Sequence, residues 1–289
     1  MPVNDELGKR MKEFYESVPK TRLVRRTPVA IRIDGKAFHT FTRGFEKPFD
    51  SVLMKAMQET MRYLCKNIQG CVFGYTQSDE ITLILIDYQK LNSDAWFDYE
   101  VQKICSISAS MATMAFNRYF RDLIEDYCMT DSRASFETRN VYIDAYERGA
   151  MFDARCFNIP KEEVCNLIYW RQLDAIRNSI QMVGQAFFSS KELHGKSCNE
   201  IIDMLHEEKN VNWHNFPTAC QRGASCLKVA QRVNIAGTIN TISTWDIDFN
   251  MPILKGDDRK YVDDLIYVKE DFFCADGERK EEIENESNS

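Results

Sequence analysis

Two apolar segments joined by an acidic turn constrain the fold of this chain more than any other feature. Residues 71–75 and 81–86 are rich in β-branched and aromatic side chains, and they flank the polar sequence Q-S-D-E at residues 77–80. This pattern predicts a β-hairpin with a polar tip. Because Asp79 and Glu80 repel each other unless a cation lies between them, a metal site is one interpretation of the tip. Taken alone, the tip is more simply explained as a solvated turn.

Another apolar segment, upstream of the predicted hairpin, favours the metal interpretation. Residues 28–38 (P-V-A-I-R-I-D-G-K-A-F) predict a strand whose apolar part ends at Asp34 and Gly35. Gly35 lets the backbone turn sharply and leaves its carbonyl accessible. If this strand lies beside the hairpin, Asp34 and Asp79 meet across neighbouring strands. Two aspartates around divalent ions about 3.5–4 Å apart are typical of two-metal phosphoryl and nucleotidyl transfer.

The order of the predicted elements indicates an α+β fold. Asp50 is a good N-cap for a helix over 51–67, and a second long helix is predicted over 99–126. Segments 140–145 and 150–159 are predicted strands after a polar loop. The order strand, helix, hairpin, helix, strand is that of a ferredoxin-like βαββαβ palm with an antiparallel sheet.

The chain divides into three predicted regions. Residues 1–190 form a palm-type domain with an N-terminal arm, in which residues 3–19 predict an amphipathic helix. Residues 191–273 predict an extension with helical and β-like segments, packed on the palm. Residues 274–289 are acidic and lack aromatic side chains, which predicts a disordered tail.

A third long helix, predicted over 164–188, has one apolar and one polar face. The expected buried stripe comprises Trp170, Leu173, Ile176, Ile180, Val183 and Phe187. The other face carries Arg171, Asp174, Arg177, Asn178 and Gln181. A polar face of this kind can be solvent-exposed or can bind a triphosphate, and the spacing does not decide between them.

Composition limits the possible partners and compartment. The net charge of −7 argues against a protein that coats nucleic acid by bulk electrostatics, so an RNA partner needs local basic patches such as residues 20–26. No apolar segment approaches a membrane span, and the charged residues 1–20 do not resemble a signal peptide. Ten cysteines without C-x-x-C pairs favour free thiols in a reducing cytosol. Cys220, Cys226 and His214 have loose zinc-site content, which is the less favoured interpretation.

Five blocks of sequence carry a resemblance to a known family. They are I-R-I-D-G-K-A-F-H (31–39), F-E-K-P-F-D (45–50), G-Y-T-Q-S-D-E (74–80), M-F-D-A-R-C-F-N-I-P (151–160) and Y-W-R-Q-L-D-A-I-R-N-S (169–179). In this order they resemble the tRNA-histidine guanylyltransferases, and the resemblance fades after residue 217.

The resemblance implies a role for each matching residue. Asp34, the Gly35 carbonyl and Asp79 are implied to hold two Mg²⁺ ions, and Glu80 to complete the acidic cluster. The implied nucleotide-binding positions are Gly35, Lys36, Ala37, Phe38, His39, Lys47, Asp50, Ser78, Lys103 and Arg155, with ATP and GTP as substrates. We add Arg171, Asp174, Arg177 and Asn178 as candidates for the triphosphate. His39 alone could equally be a packed core histidine.

Two departures from the family pattern point to one of its branches. Ile176-Arg177-Asn178-Ser179 replaces an H-I-N-N run, and residues 99–102 (Y-E-V-Q) replace an arginine-rich stretch before Lys103. Both changes resemble the guanylyltransferase-like proteins, which add nucleotides in the 3′-to-5′ direction, copy the opposite strand and can repair 5′-truncated tRNA. The resemblance therefore implies a cytoplasmic tRNA-repair nucleotidyltransferase, with tRNA as partner and a tetrameric assembly.

Three other functions stay open from the sequence alone. The first is a guanylyltransferase that adds a single 5′ guanosine to histidine tRNA. The second is a nucleotide cyclase or another palm-type polymerase, against which the F-x-K-P and W-R-Q-x-D blocks argue. The third is a non-catalytic RNA-binding module, which leaves Asp34 and Asp79 unexplained because carboxylates repel phosphate without a metal.

Overall fold

A computed structural model of the chain describes residues 5–130, 136–235 and 238–268. Six strands form one antiparallel sheet in the order β4-β1-β3-β2-β5-β6. The strands are β1 Val29–Gly35, β2 Cys71–Gln77, β3 Glu80–Leu85, β4 Phe152–Asn158, β5 Ala224–Ile235 and β6 Thr238–Asp248. The helices are α1 Glu6–Met11, α2 Phe38–Phe41, α3 Ser51–Asn67, α4 Val101–Thr130, α5 Phe136–Arg148, α6 Lys161–Phe187, α7 Ser190–Leu193, α8 Cys198–Lys209, α9 Thr218–Arg222 and α10 Lys260–Ile266.

The predicted hairpin and the predicted first strand are both confirmed. β2 and β3 pair across a two-residue turn, and β1 lies between β3 and β4. In this register Asp34 lies opposite Glu80 on one side and opposite Asp153 on the other. The end of β1 therefore lies beside the tip of the hairpin, as the sequence predicted.

Alternation along β1 places helices on both faces of the sheet. Ile31 and Ile33 belong to the core under α3 and α4, whereas Ala30 belongs to a second core on the opposite face, together with Val164 and Ile168 of α6. Successive side chains of a strand point to opposite faces, so Arg32 and Asp34 lie on the α6 face with Ala30. The α6 face is thus the one that carries the charged side chains.

The C-terminal segments extend the sheet and cover α6. The first four residues of β5 pair with β2, and the remainder pairs with β6 alone. Gln172 of α6 is buried; it donates to the Pro252 carbonyl at 2.8 Å and accepts from the Leu254 N–H at 3.0 Å. These bonds hold the segment after β6 against the helix. The predicted tail, residues 274–289, lies outside the described residues.

The strand predicted at 140–145 is wrong, because this segment belongs to α5. Alternating apolar residues suggested period two, but Tyr142 and Ala145, three positions apart, are the residues that the structure buries. The polar loop predicted before this segment, over residues 130–139, is also wrong at residue 130, which ends α4, and at residues 136–139, which begin α5. Residues 131–135 lie outside the described part of the chain.

The buried stripe predicted for α6 is only partly right. Ile180 and Val183 are buried, but Trp170 is 51% exposed and Leu173 is 46% exposed. The buried positions in this part of the helix are Arg171, Gln172, Ala175 and Ser179. The helix turns polar residues inward because the charged face of β1 and β3 lies there. Within the described segments, no helix combines the length and the apolar composition needed to cross a bilayer.

Candidate active site

A tight turn and a glycine bring Asp34 and Asp79 together. Ser78 adopts a left-handed conformation with φ of 50°, which closes the turn between β2 and β3. The Gly35 N–H donates to the Asp79 carbonyl at 3.1 Å and so fixes this turn against the end of β1. A Cβ atom at Gly35 would lie 2.2 Å from the Phe38 ring, so a larger residue does not fit there. The local chain therefore requires glycine where the two acids meet.

Three acidic side chains form a row across the sheet. Asp34 of β1 lies directly opposite Asp153 of β4 and Glu80 of β3. Two residues away on the same strands, Arg32 lies opposite Arg155. Arg155 binds Asp153 at 3.1 Å, and Arg32 binds Glu80. Among the described residues, Asp34 forms no salt bridge, although it lies in the middle of the row. The two arginines neutralise the outer acids and leave the central one without a counterion.

The environment raises the pKa of both aspartates. For Asp34, burial is the largest cause, followed by repulsion from Glu80 and Asp153, while Arg155 and Arg32 act in the opposite direction. Burial is also the main cause for Asp79, and repulsion from Asp34 adds to it. The Ser78 hydroxyl donates to the Asp79 carboxylate at 3.1 Å and partly offsets these effects. The fold thus holds two carboxylates together at an energetic cost.

Paired acids without a counterion suit a divalent cation. Carboxylate and carbonyl oxygens are the ligands that Mg²⁺ accepts, and it keeps several waters in such sites. No set of three His, Cys, Asp or Glu side chains within the described segments forms a ready metal cage. A metal here would therefore be held by Asp34, Asp79 and the Gly35 carbonyl with water and substrate oxygens, which fits the donor set expected from the sequence.

Glu80 has a different environment from the one that the acidic-cluster hypothesis gave it. One carboxylate oxygen accepts from Arg171 Nε at 2.7 Å, and the other accepts from Arg32. The Glu80 side chain is only 6% exposed. A carboxylate already bound by two guanidinium groups is not free to ligate a metal. Glu80 instead ties α6 and β1 to the strand that begins next to Asp79.

Seven of the ten nucleotide-binding positions implied by the resemblance line one pocket. The pocket has a volume of about 480 Å³ and opens beside the two aspartates. Among the predicted residues, its lining includes Gly35, Ala37, Phe38, His39, Lys47, Asp50, Ser78 and Asp79. His39 is exposed on the pocket wall, so it is not a packed core histidine. Phe38 is 4% exposed and contacts Phe116 and Phe152, which makes it mainly a core residue, and Lys36 does not line the pocket.

Asp50 holds the loop that forms one wall of this pocket. Its carboxylate caps α3 through the Leu53 N–H at 2.8 Å, which confirms the predicted N-cap. It also accepts from the Glu46 N–H at 3.0 Å and from the Tyr142 hydroxyl at 2.7 Å. The contact with Tyr142 joins α5 to the loop that carries Lys47. Asp50 is buried, and these bonds give it a structural role in the wall.

We expect the Tyr142→Phe substitution to destabilise the protein by about 1.5–3 kcal/mol, the usual range for losing a hydrogen bond to a charged group. The pocket wall should also loosen, and nucleotide affinity should fall. Urea unfolding and a nucleotide titration measure the two effects. The matched control is Tyr127→Phe, because the Tyr127 hydroxyl donates to Glu46 at 3.0 Å on the surface, where water replaces it. Equal losses in the two variants would contradict this assignment.

The polar residues of α6 do not form a free triphosphate-binding face. Arg171 is buried and binds both Glu80 and Asp174. Asp174 also accepts from Arg177 and, at 3.4 Å, from the Asn178 amide. Of this set Arg177 is the exposed member, with 65% of its side chain accessible. These contacts give Arg171 a structural role, which the sequence did not reveal because Glu80 lies 91 residues earlier. Its proposed role in binding the triphosphate stays a prediction.

The structure brings Arg155 to the site but not Lys103. Arg155 lies on the same sheet face as Asp34, one step along β4. Lys103 lies near the start of α4, over the Phe97 ring, on the opposite face of the sheet. Thr113, which accepts from the Phe152 N–H at the site end of β4, follows ten residues later in the same helix. At 1.5 Å per residue this separation is about 15 Å.

The zinc interpretation gains no support within the described residues. Cys226 is buried in the core under α3, and Cys220 lies next to Met54 in a small apolar pocket of about 90 Å³ behind the nucleotide pocket. His214 lines neither this pocket nor the larger one. Each cysteine whose side chain the structure describes is a free thiol.

Two charged residues of the site were missed from the sequence. Arg32 and Asp153 flank Asp34 in the sheet and pair with the acids beside it. Period-two alternation in I-R-I-D already places Arg32 and Asp34 on one face, and F-D-A-R does the same for Asp153 and Arg155. That signal was present and could have identified both residues.

Comparisons with known proteins identify the family of this chain. The sequence profile of the Thg1 family, tRNAHis guanylyltransferase, matches residues 8–160. Two solved structures of a bacterial tRNA(His) guanylyltransferase (Thg1)-like protein are similar to this chain. The ATP complex has a TM-score of 0.75 and 39% identity over 91% of this chain and 100% of the other; the GTP complex has 0.72 and 37% over 91% and 99%.

A viral protein is also related to the chain. An uncharacterised protein of Acanthamoeba polyphaga mimivirus is 31% identical over 225 residues, which are 74% of each chain. The matching profile covers more than half of this sequence and includes the segments that carry both aspartates. The chain belongs to the Thg1 family of tRNAHis guanylyltransferases, which are nucleotidyltransferases.

Proposed function

We propose that this protein adds nucleotides to the 5′ end of tRNA in the 3′-to-5′ direction, copies the opposite strand and thereby repairs 5′-truncated tRNA. One observation carries the proposal: Asp34 and Asp79 lie together without a salt-bridge partner among the described residues, and Gly35 and Asp79 line the 480 Å³ pocket, in a chain of the Thg1 family. The pocket takes the nucleoside triphosphate, and the open sheet face beside Arg155 and Arg32 takes the RNA end.

The proposed reaction has two displacement steps on phosphorus. An oxygen of the RNA 5′-monophosphate first displaces pyrophosphate from ATP or GTP. The 3′-hydroxyl of the incoming triphosphate then attacks the activated 5′ phosphorus and displaces the nucleoside monophosphate. Two Mg²⁺ ions, when bound, lower the pKa of the attacking hydroxyl and neutralise the phosphates.

The side chains of this protein position these reactants. Asp34, Asp79 and the Gly35 carbonyl hold the metal-binding side of the site. Glu80 fixes the start of β3, next to Asp79, through its bonds with Arg32 and Arg171. Lys47 and His39 lie on the pocket wall, where a cation and a ring suit the phosphates and the base.

Template dependence is supported by the α6 segment where the guanylyltransferases proper carry H-I-N-N. Ile176-Arg177-Asn178-Ser179 stands where the guanylyltransferases proper carry H-I-N-N, and Arg177 and Asn178 are bound to Asp174. Watson–Crick pairing with the opposite strand selects a base without protein contacts. The similar structure with a TM-score of 0.75 is itself that of a guanylyltransferase (Thg1)-like protein. Single guanosine addition to histidine tRNA is the alternative.

Several features stay predictions of this proposal. The order β1, α3, β2, β3, α4, β4 and the strand order β4-β1-β3-β2 support a ferredoxin-like palm. The division at residue 190 rests on the predicted segments, a cytoplasmic location on the scattered cysteines and the family resemblance, and a tetramer on that resemblance alone. Sedimentation of the purified protein tests the assembly.

A set of tRNAs tests the proposed function. Each lacks its first nucleotide and carries one of the four bases opposite the gap, and each is supplied with Mg²⁺, ATP and all four triphosphates. We expect the added base to follow the opposing base in every case, because pairing provides the selection. Guanosine added whatever the opposing base, and to histidine tRNA alone, would replace this proposal with the guanylyltransferase alternative. RNA binding without Mg²⁺ and without triphosphate consumption would favour a non-catalytic module.

A further inference from the structure

Trp170 is a large aromatic side chain exposed beside the candidate site. It is 51% exposed, although α6 has buried positions immediately next to it at Arg171 and Gln172. Leu173, one helical turn further, is 46% exposed and continues the apolar surface. An exposed aromatic next to a polar site is informative, because burial is the favoured environment of this residue type.

Contacts place the indole on the sheet face that carries Asp34. The guanidinium carbon of Arg171 lies 4.6 Å from the Trp170 ring centroid, and that of Arg32 lies 5.5 Å from it. Arg32 and Asp34 are two residues apart on β1, so their Cα atoms are separated by about 7 Å. Trp170 therefore lies beside the row of acids, outside the nucleotide pocket, whose lining does not include it.

Charge alone does not identify a partner for this surface. Arg32 binds Glu80, Arg155 binds Asp153, and Arg177 binds Asp174. Each exposed or half-buried arginine here thus already has a carboxylate partner. A ligand recognised only by its negative charge would have to displace one of these pairs. A planar ring can use the indole and the guanidinium planes without breaking any of them.

We propose that Trp170, supported by Arg32, stacks on a nucleobase of the RNA whose 5′ end reaches Asp34 and Asp79. This inference rests on the proposed function, because it takes the bound RNA as the ligand of the open sheet face. Aromatic side chains and arginine planes are the common platforms for unstacked RNA bases. The base is a terminal or unpaired one, since a base inside a duplex offers no free face.

A purely structural role for Trp170 makes different predictions. In that role the indole only covers the Glu80–Arg171 ion pair, and its loss would affect stability and every ligand alike. In the stacking role its loss affects RNA and leaves the triphosphate in the other pocket unaffected. If the base of the triphosphate stacked on Trp170 instead, loss of the indole would lower the affinity for the nucleotide.

Two separate equilibrium titrations in Mg²⁺ test the proposal. A tRNA lacking its first nucleotide is titrated without triphosphates, and ATP is titrated without RNA. We expect Trp170→Ala and Trp170→Leu to weaken RNA binding roughly 5- to 150-fold, the range for losing one stacked base. Trp170→Phe should retain most of the affinity, and ATP affinity and melting temperature should change little. Leucine keeps apolar cover over the ion pair, so this variant separates stacking from cover.

The control is Trp245→Phe, because Trp245 also lies near a cation, Lys228 at 5.3 Å, but on β6. RNA should quench tryptophan fluorescence in the wild type and in Trp245→Phe, and the quenching should be much smaller in Trp170→Phe. Unchanged RNA affinity in folded Trp170→Leu, or an equal loss of ATP affinity, would overturn the proposal. RNA binding that depends on Trp170 in a protein without transferase activity would overturn the proposed function and leave the stacking site intact.

Discussion

Replacing Asp79 by asparagine is expected to lower the nucleotidyl-transfer rate roughly a thousandfold or more while the protein stays folded. The substitution keeps the shape of the side chain and removes the charge that holds a metal next to Asp34. Metal stabilisation of a phosphoryl-transfer transition state is worth several kcal/mol, and each 1.36 kcal/mol corresponds to a factor of ten in rate. Asp34→Asn should behave in the same way, because one aspartate alone cannot hold two cations close together.

The same substitution should not destabilise the metal-free protein. Burial and repulsion raise the pKa of Asp79. Its favourable contribution to the free energy of unfolding is therefore present at low pH and is lost as the pH rises through the folded-state pKa. At neutral pH the ionised group therefore opposes folding, and asparagine removes this opposition. We expect an equal or higher melting temperature without Mg²⁺, measured by calorimetry.

Asp153→Asn is the matched control for both effects. Asp153 occupies the same row but is exposed and paired with Arg155. Its loss should change the rate far less than the loss of Asp79. Near-normal turnover by Asp79→Asn, or equal losses in the Asp79 and Asp153 variants, would contradict the assignment of the two aspartates.

Replacing Arg171 by methionine is expected to destabilise the fold by about 1–3 kcal/mol, the range for a buried acceptor that loses its donor. Arg171 and Glu80 have side-chain exposures of 8% and 6%, and removal of Arg171 leaves one Glu80 oxygen without its guanidinium donor while Arg32 still binds the other. Arg177→Ala should cost less than about 1 kcal/mol, because its ion pair with Asp174 is exposed on the arginine side. Urea unfolding of both variants measures the difference.

A double variant tests the cause of the Arg171 effect. Glu80→Gln combined with Arg171→Met removes both charges, so its loss of stability should be smaller than the sum of the single losses. Additive losses would show that Arg171 acts through packing rather than through Glu80. A stable Arg171→Met variant with weakened ATP affinity would instead assign Arg171 to triphosphate binding.

Local patterns predicted the parts of the fold that depend on neighbouring residues. The hairpin, the N-cap at Asp50 and the meeting of Asp34 with Asp79 follow from alternation, turn chemistry and strand order. The strand predicted at 140–145 is wrong, since Val141 and Ile143 alternate on a helix whose buried positions are Tyr142 and Ala145. A short alternating segment cannot be distinguished from a helix when its packing partner is distant in sequence.

Contacts between residues distant in sequence explain what the sequence did not reveal about the site. Arg171 was assigned to substrate because helical spacing does not show that Glu80, 91 residues earlier, takes its guanidinium. Trp170 was assigned to the core because an aromatic residue on a helix is usually buried. Lys103 was carried over by resemblance, which gives a residue its position in the chain but not its distance from Asp34.

The most direct test of the central claim is the position of a newly added nucleotide on RNA. A tRNA lacking its first nucleotide and bearing a 5′-triphosphate bypasses the activation step, and is incubated with Mg²⁺ and the α-labelled triphosphate that pairs with the opposite base. We predict that the label joins the 5′ end, that pyrophosphate is released, and that Asp79→Asn abolishes both. Label at the 3′ end, or no incorporation by folded protein that binds the triphosphate, would contradict the account.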